Sequence, residues 1–145
     1  MGKKRIIGKE EETKSVATET PKEPAVTSKR RISVGTVNVQ ATFNNTKILV
    51  ADEKGNALFW SSSGSLGFQG AKKGTPYAAT KVAELLADKA QNIGIRELHV
   101  VVRGVGGGRE AAIRTFAGKG LAILSIRDAT PIPHNGPRPK KPRRV

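Results

Sequence analysis

Apolar and polar residues alternate from Ile32 onward, and the period of that alternation changes along the chain in a way that predicts strands, then helices. Ile32 and Val34 start one phase. It slips at Gly35-Thr36 and resumes at Val37, Val39, Ala41 and Phe43, which predicts a strand with a bulge near Gly35. Asn44-Asn45-Thr46 reads as a short turn, because Asn tolerates left-handed dihedrals. It leads into Ile48 to Ala51, an unbroken apolar run suited to a strand buried on both faces, and the two strands form a hairpin. Asp52 to Asn56 makes the next turn, and Ala57 to Ser62 is a third strand with Trp60 near its end.

The period then lengthens. Gly64, Gly67, Gly70 and Gly74 punctuate a loop, after which Thr75-Pro76 marks a helix start: Thr caps and Pro suits the first helical position. Ala78, Val82, Leu85, Leu86 and Ile93 recur near helical spacing, and Gly94 ends the helix. Leu98, Val100 and Val102 alternate as a fourth strand, and Gly104 to Gly108 forms a loop. Arg109 to Ala117 is a second helix with Ile113 and Phe116 inward, and Leu121 to Asp128 is a fifth strand. The expected fold class is α/β: a mixed sheet ordered β-β-β-α-β-α-β, with right-handed parallel crossovers and helices packed on its faces.

Both ends depart from this pattern. Residues 1–28 are rich in Lys, Glu, Thr and Pro without sustained periodicity, so burial cannot offset the entropy of ordering them, and a disordered extension is expected. Residues 29–130 form the α/β domain. Residues 131–145 carry Pro131, Pro133, Pro137, Pro139 and Pro142, which exclude helix and central strand and predict an extended arm.

Charge sharpens the picture. The net charge is +14 over 145 residues. Residues 1–23 hold six basic and five acidic side chains, a net of +1, so +13 belongs to the rest. A basic folded part points to nucleic acid first and an anionic membrane second, and no apolar run approaches the roughly 20 residues of a spanning helix. The absence of cysteine removes disulfides and thiolate metal sites.

Candidate contacts cluster in loops and termini. Lys29, Arg30 and Arg31 form a basic clip before the first strand. Asn44, Asn45, Ser61, Ser62, Ser63, Lys72, Lys73 and Arg109 sit where a rigid sheet presents side chains to a partner. Lys47, Arg103, Arg114 and Arg127 extend the set along the strands and second helix. In the arm, His134, Asn135, Arg138, Lys140, Lys141, Arg143 and Arg144 follow the last acid, Asp128. With aromatics at 4%, a generic base-stacking platform is not expected, and contacts to RNA shape and backbone fit better. Trp60 fits either core packing or the RNA interface. Asn135 precedes Gly136, whose backbone nitrogen is unhindered, so Asn135 is also a candidate for rearrangement to isoaspartate through a succinimide.

Enzymatic readings find less support. The loop before the first helix reads Lys73-Gly74-Thr75, not the Gly-Lys-Thr order of a nucleotide-binding P-loop, and Arg109 stands where a dinucleotide fingerprint needs its third glycine. Asp52 and Asp128 both end strands, which leaves a two-metal nuclease as the enzymatic alternative. His99 and His134 are too separated for a recognisable metal site, His99 being read as a strand-face residue. No cofactor, metal or small-molecule substrate is expected.

Four long motifs carry a resemblance: ATFNNT at Ala41 to Thr46, WSSSGSLGFQGAKKGTPYAA at Trp60 to Ala79, GVGGGREAAIR at Gly104 to Arg114, and SIRDATPIPHNGPRPKKPRRV from Ser125 to the end. In this order they resemble the small-subunit ribosomal protein eleven family, bacterial type, over roughly Ile32 to Val145. The resemblance implies a ribonuclease-H-like fold without catalysis that binds small-subunit ribosomal RNA on the platform of the cytoplasmic ribosome. It also implies a place near the messenger RNA exit path beside ribosomal proteins seven, eighteen and twenty-one. Two departures stand out: Val105 and Gly107 replace prolines of the family's Gly-Pro-Gly-Pro-Gly-Arg pattern, which implies a looser loop before binding, and Pro137 stands where the family commonly has Cys. The first 28 residues do not match the family's short basic leader, so no RNA contacts are assigned to them.

Overall fold

The computed structural model of the chain describes residues 32–141. The expected N-terminal extension 1–28, the clip Lys29 to Arg31, and the last cations Arg143 and Arg144 lie outside the described residues. The elements run β1 (Val34–Ala41), β2 (Thr46–Asp52), β3 (Ala57–Ser62), a short 3-10 turn at Gly70–Gly74, α1 (Pro76–Ile93), β4 (Glu97–Arg103), α2 (Gly108–Gly118) and β5 (Ala122–Asp128). They form one five-stranded sheet in the order β3-β2-β1-β4-β5. The hairpin of β1 and β2 is antiparallel, as is β2 with β3, while β4 pairs parallel with both β1 and β5. A mixed sheet with parallel crossovers is thus the observed architecture.

The helices, however, cover one face of the sheet, not both. Val37, Val39, Ile48, Val50, Leu98, Val100 and Val102 join Val82 and Leu86 of α1 and Ala112 and Phe116 of α2 in one buried cluster. Helix α1 packs over β2 and β3, α2 over β1, β4 and β5, and the two helices pack on each other. The alternate positions of β1 are Thr36, Asn38 and Gln40, which have little to bury, so no element is drawn over them. This also corrects the reading of β2. Ile48 and Val50 are buried but Leu49 between them is only half-buried, because the second face of that strand is open.

The bulge expected at Gly35 is absent: β1 keeps register across it with both β2 and β4. Gly35 occupies a core-facing position in phase with Val37, and a side chain there would press on Ile95. The apparent phase slip is a glycine making room for an isoleucine. Irregularities fall instead between Val50 and Ala51 and between Leu98 and His99. Phe43 lies beyond the end of β1 and is 77% exposed, so the strand's inward series stops at Ala41.

Helix α1 forms where its caps dictate. Pro76 opens it, the Thr75 hydroxyl accepts from the Ala78 amide at 3.3 Å, and Gly94 closes it in the left-handed region at φ 103. Its buried face is mostly alanine, at 78, 79, 83, 87 and 90, which brings α1 close to its neighbours.

Candidate nucleic-acid interface

Parallel strands place like ends together. The carboxyl ends of β1, β4 and β5 share one end of the sheet with the end of β3 and the start of β2. Four segments therefore leave from the same edge: Thr42 to Asn45, Ser63 to Thr75, Gly104 to Gly107, and the arm from Ala129. Backbone contacts stitch them together. A Cβ at Gly74 would overlap the Phe43 carbonyl, one at Gly104 the Ala41 carbonyl, and one at Gly106 the Thr42 carbonyl. The Gly106 amide donates to the Ala41 carbonyl at 3.0 Å, and the Ser63 amide to that of Thr46 at 3.0 Å. The arm's root is fixed too, as the Ala129 amide donates to the Val102 carbonyl at 2.8 Å and the Gly104 amide to the Thr130 hydroxyl at 3.2 Å.

Five of the predicted cations lie on the segments that leave this end. Lys72 is exposed and Lys73 half-buried in the short turn beside α1, and Arg138, Lys140 and Lys141 are exposed along the arm with His134 and Asn135. Asn44 is exposed, whereas the Asn45 side-chain oxygen is buried without a hydrogen-bond partner. The Thr42 hydroxyl donates to the Asn45 carbonyl and accepts from its amide, so Thr42 rather than either Asn closes the hairpin turn.

Two groups expected to meet RNA are occupied inside the fold. Ser61, Ser62 and Ser63 are 8%, 7% and 0% exposed, and Ser65 serves the first two: its hydroxyl accepts from the Ser62 amide at 2.9 Å and lies 3.1 Å from the Ser61 hydroxyl. These serines hold the loop's shape and do not present hydroxyls outward. Arg109 likewise is not a free cation. Its guanidinium donates to the Gly104 carbonyl at 2.8 Å and pairs with Asp128. Asp128 also accepts from the Thr130 amide at 2.9 Å and from the Thr130 hydroxyl. The Thr130 hydrogen bonds, with Arg109 beside them, hold the Asp128 carboxyl well below the ordinary range, at about 2. Arg114 pairs with Glu110 on the outer side of α2, both side chains about four-fifths exposed.

The open face of the sheet carries the remaining predicted residues. Lys47, Trp60, Arg103 and Arg127 are all exposed there, and the 65% exposure of Trp60 excludes core packing for it. His99 is a strand-face residue on the same side, its Nδ1 2.7 Å from the Ser125 hydroxyl. The nuclease alternative fails on topology. Because β2 runs against β5, Asp52 and Asp128 end at opposite edges of the sheet. Among the described residues there is no cluster of three or more acidic or His side chains able to hold a metal ion, and no helix long and apolar enough to cross a membrane.

The family model described as ribosomal protein S11 matches residues 35–144, all of the sheet but Val34, both helices and nearly all of the arm. The chain belongs to the ribosomal protein S11 family. Among curated relatives, the small ribosomal subunit protein uS11 of Treponema pallidum (strain Nichols) is 59% identical over 125 residues, covering 83% of this chain and 99% of that protein. The uS11 protein of Borreliella burgdorferi (strain ZS7) is 56% identical over 117 residues, 81% of this chain and 90% of its own length. All four motifs of the resemblance fall within the S11 match, the last running one residue past it, and each contributes one of the four segments at the stitched end of the sheet. What sequence reading did not find in this S11 chain is the set Asn38, Gln40 and Leu49 on the open face, and the lock of Arg109, Asp128 and Thr130. The first had a signal: Asn38 and Gln40 alternate with buried valines and align across strands with Lys47 and Leu49. The second had none, since its members are brought together by the parallel pairing of β4 and β5.

Proposed function

We propose that the chain is a structural, non-catalytic constituent of the small ribosomal subunit that binds small-subunit ribosomal RNA. The RNA is held by the stitched end of the sheet and by the extended basic arm. The observation that carries this reading is the convergence of four segments on one edge, with Lys72, Lys73, Arg138, Lys140 and Lys141 directed outward and no acid after Asp128. Membership of the S11 family, and relatives named as small ribosomal subunit proteins, support it. In the same reading residues 1–28 are an extension, 29–130 the RNA-binding domain and 131–145 the arm.

The antiparallel β1 to β3 followed by two parallel crossovers supports a ribonuclease-H-like label for the fold. The family resemblance supports a place on the platform near the messenger RNA exit path of the cytoplasmic ribosome, beside ribosomal proteins seven, eighteen and twenty-one. The test is cosedimentation: the full chain stays with assembled small subunits through a high-salt wash. Dispersal as free protein overturns the reading.

A further inference from the structure

The open face of the sheet is organised in two rows. Strand register sets Trp60 of β3 beside Leu49 of β2, Leu49 beside Asn38 of β1, and Asn38 beside Val101 of β4. Two residues along, a second row sets Lys47 beside Gln40 and Gln40 beside Arg103. The first row is aromatic and apolar except for the Asn38 amide; the second is cationic with an amide between. All of these residues but Val101 line an open hollow of about 450 Å³. That volume lies in the range of small-ligand sites.

Trp60 is 65% exposed at the sheet edge, and no described aromatic pairs with it. Among the described residues four cations, Lys81, Arg109, Arg114 and Lys119, have an ion-pair partner. Among the described residues Lys47 and Arg103 have none. An indole surface beside two unneutralised cations matches a base joined to phosphates, since base stacking on an aromatic ring is sequence-tolerant while the backbone needs positive charge. Rows two residues apart along a strand stand roughly 7 Å from each other, a distance that separates a base from its own phosphate. A purely apolar protein segment would cover Trp60 and Leu49 but leave both cations without counter-charge.

We propose that this face is a subsite for one unpaired nucleotide of RNA. Its base stacks on Trp60 against Leu49, Asn38 and Gln40 offer amide groups to its edge, and Lys47 and Arg103 hold the flanking phosphates. The proposal rests on the RNA-binding reading above and adds a second surface to it, on the face of the sheet and not at its loop end. It also revises the expectation drawn from low aromatic content, because one tryptophan suffices for one base.

Trp60 is the only tryptophan, so its fluorescence reports on the site directly. The full chain is titrated with a single-stranded adenylate hexamer and, separately, with a blunt RNA duplex. The hexamer quenches Trp60 and the duplex does not. Trp60→Ala weakens hexamer binding by about 5- to 150-fold, the span of one base–aromatic stack, while Trp60→Phe retains most of it. In assembled subunits, ultraviolet cross-linking leaves a nucleotide adduct on the peptide that contains Trp60. Unchanged Trp60 emission with the hexamer, equal hexamer affinity for Trp60→Ala, or a cross-link from Trp60 to another protein overturns the proposal. The two readings fail separately. A chain that holds ribosomal RNA while its Trp60 emission ignores the hexamer loses only this subsite, whereas a chain that does not hold ribosomal RNA loses both.

Discussion

Arg109, in the first turn of α2, pairs with Asp128 at the end of β5 and on its way donates to the Gly104 carbonyl at 2.8 Å. One guanidinium thereby ties a loop, a helix and the root of the arm. Asp128 completes the junction by accepting from the Thr130 amide. The folded carboxyl at about 2 lies below its ordinary 3.8, so ionised Asp128 favours the folded state. That contribution is present above the ordinary value and is lost as pH falls through the folded one, in the window between about pH 4 and pH 2. Following the Asp128 carboxyl by NMR should give a midpoint near the lower limit of that window. A midpoint at the ordinary carboxylate value would show that the junction does not form in solution.

Asp128→Asn keeps the shape of the junction but removes its charge. The expected result is faster hydrogen exchange at the Thr130 amide and earlier protease cleavage between Ala129 and Pro133, with the sheet's core amides unchanged. Equal protection in both proteins would remove Asp128 from the anchoring of the arm.

The glycines that face carbonyl oxygens should tolerate no side chain. Gly74→Ala forces a methyl group against the Phe43 carbonyl and should cost about 1–3 kcal/mol, the range for overpacking a site that can only partly relax. Gly118→Ala, at the last turn of α2 with nothing within 4 Å, should stay within about 1 kcal/mol of the parent and on the stabilising side. Urea midpoints of the two variants separate these outcomes, and equal midpoints would mean that the loop at Gly74 is not packed as described.

Much of this fold was legible from pattern because local chemistry and tertiary position agree. Thr75-Pro76 and Gly94 bound α1 as read, and the alternations around Val37 and Val100 gave strands in the right places. The errors share a cause. Periodicity reports which positions are apolar but not what lies over them, so the run Ile48 to Ala51 did not reveal that only one face is covered. Nor did Gly35 reveal that Ile95 fills its space. The serines at 61, 62 and 63 look outward in sequence and are inward in fact, because Ser65 folds back to bond Ser61 and Ser62 while Ser63 bonds the Thr46 carbonyl. Arg109 finds Asp128 across 19 residues of chain, a meeting set by β4–β5 pairing and invisible to any local motif.

The arm's share of RNA binding is measurable through salt. A chain ending at Pro133 lacks Arg138, Lys140, Lys141, Arg143 and Arg144, five cations. If all engage phosphates, the slope of log affinity for ribosomal RNA against log salt flattens by roughly 3.5 to 4.5, at about 0.7 to 0.9 per contact. An unchanged slope would move the binding entirely to the body of the protein.

Asn135 is the sole non-glycine residue with positive φ among those described, at 53°. With Gly136 after it, the backbone nitrogen that closes a succinimide carries no hindering side chain. The expected modification is partial or full conversion to isoaspartate in mature particles, read as the mass gained when an amide becomes an acid and as the fragmentation of the lengthened backbone. Asn44, followed by Asn45 instead of glycine, should remain an amide. Intact Asn135 in assembled subunits would leave it as a polar contact.

The stitched edge has a counterpart at the far end of the sheet, where the chain turns at Asp52 to Asn56, at Gly94 to Arg96 and at Lys119 to Leu121. At the first of these turns a side chain on Gly55 would meet nothing within 4 Å, and Lys54 beside it is exposed. A dye or affinity handle carried at Lys54 would ride on the same sheet as the proposed RNA contacts while standing a full strand length away from them. On the proposed reading the two ends of one sheet divide the work, and the protein can be watched from one end while the other meets RNA.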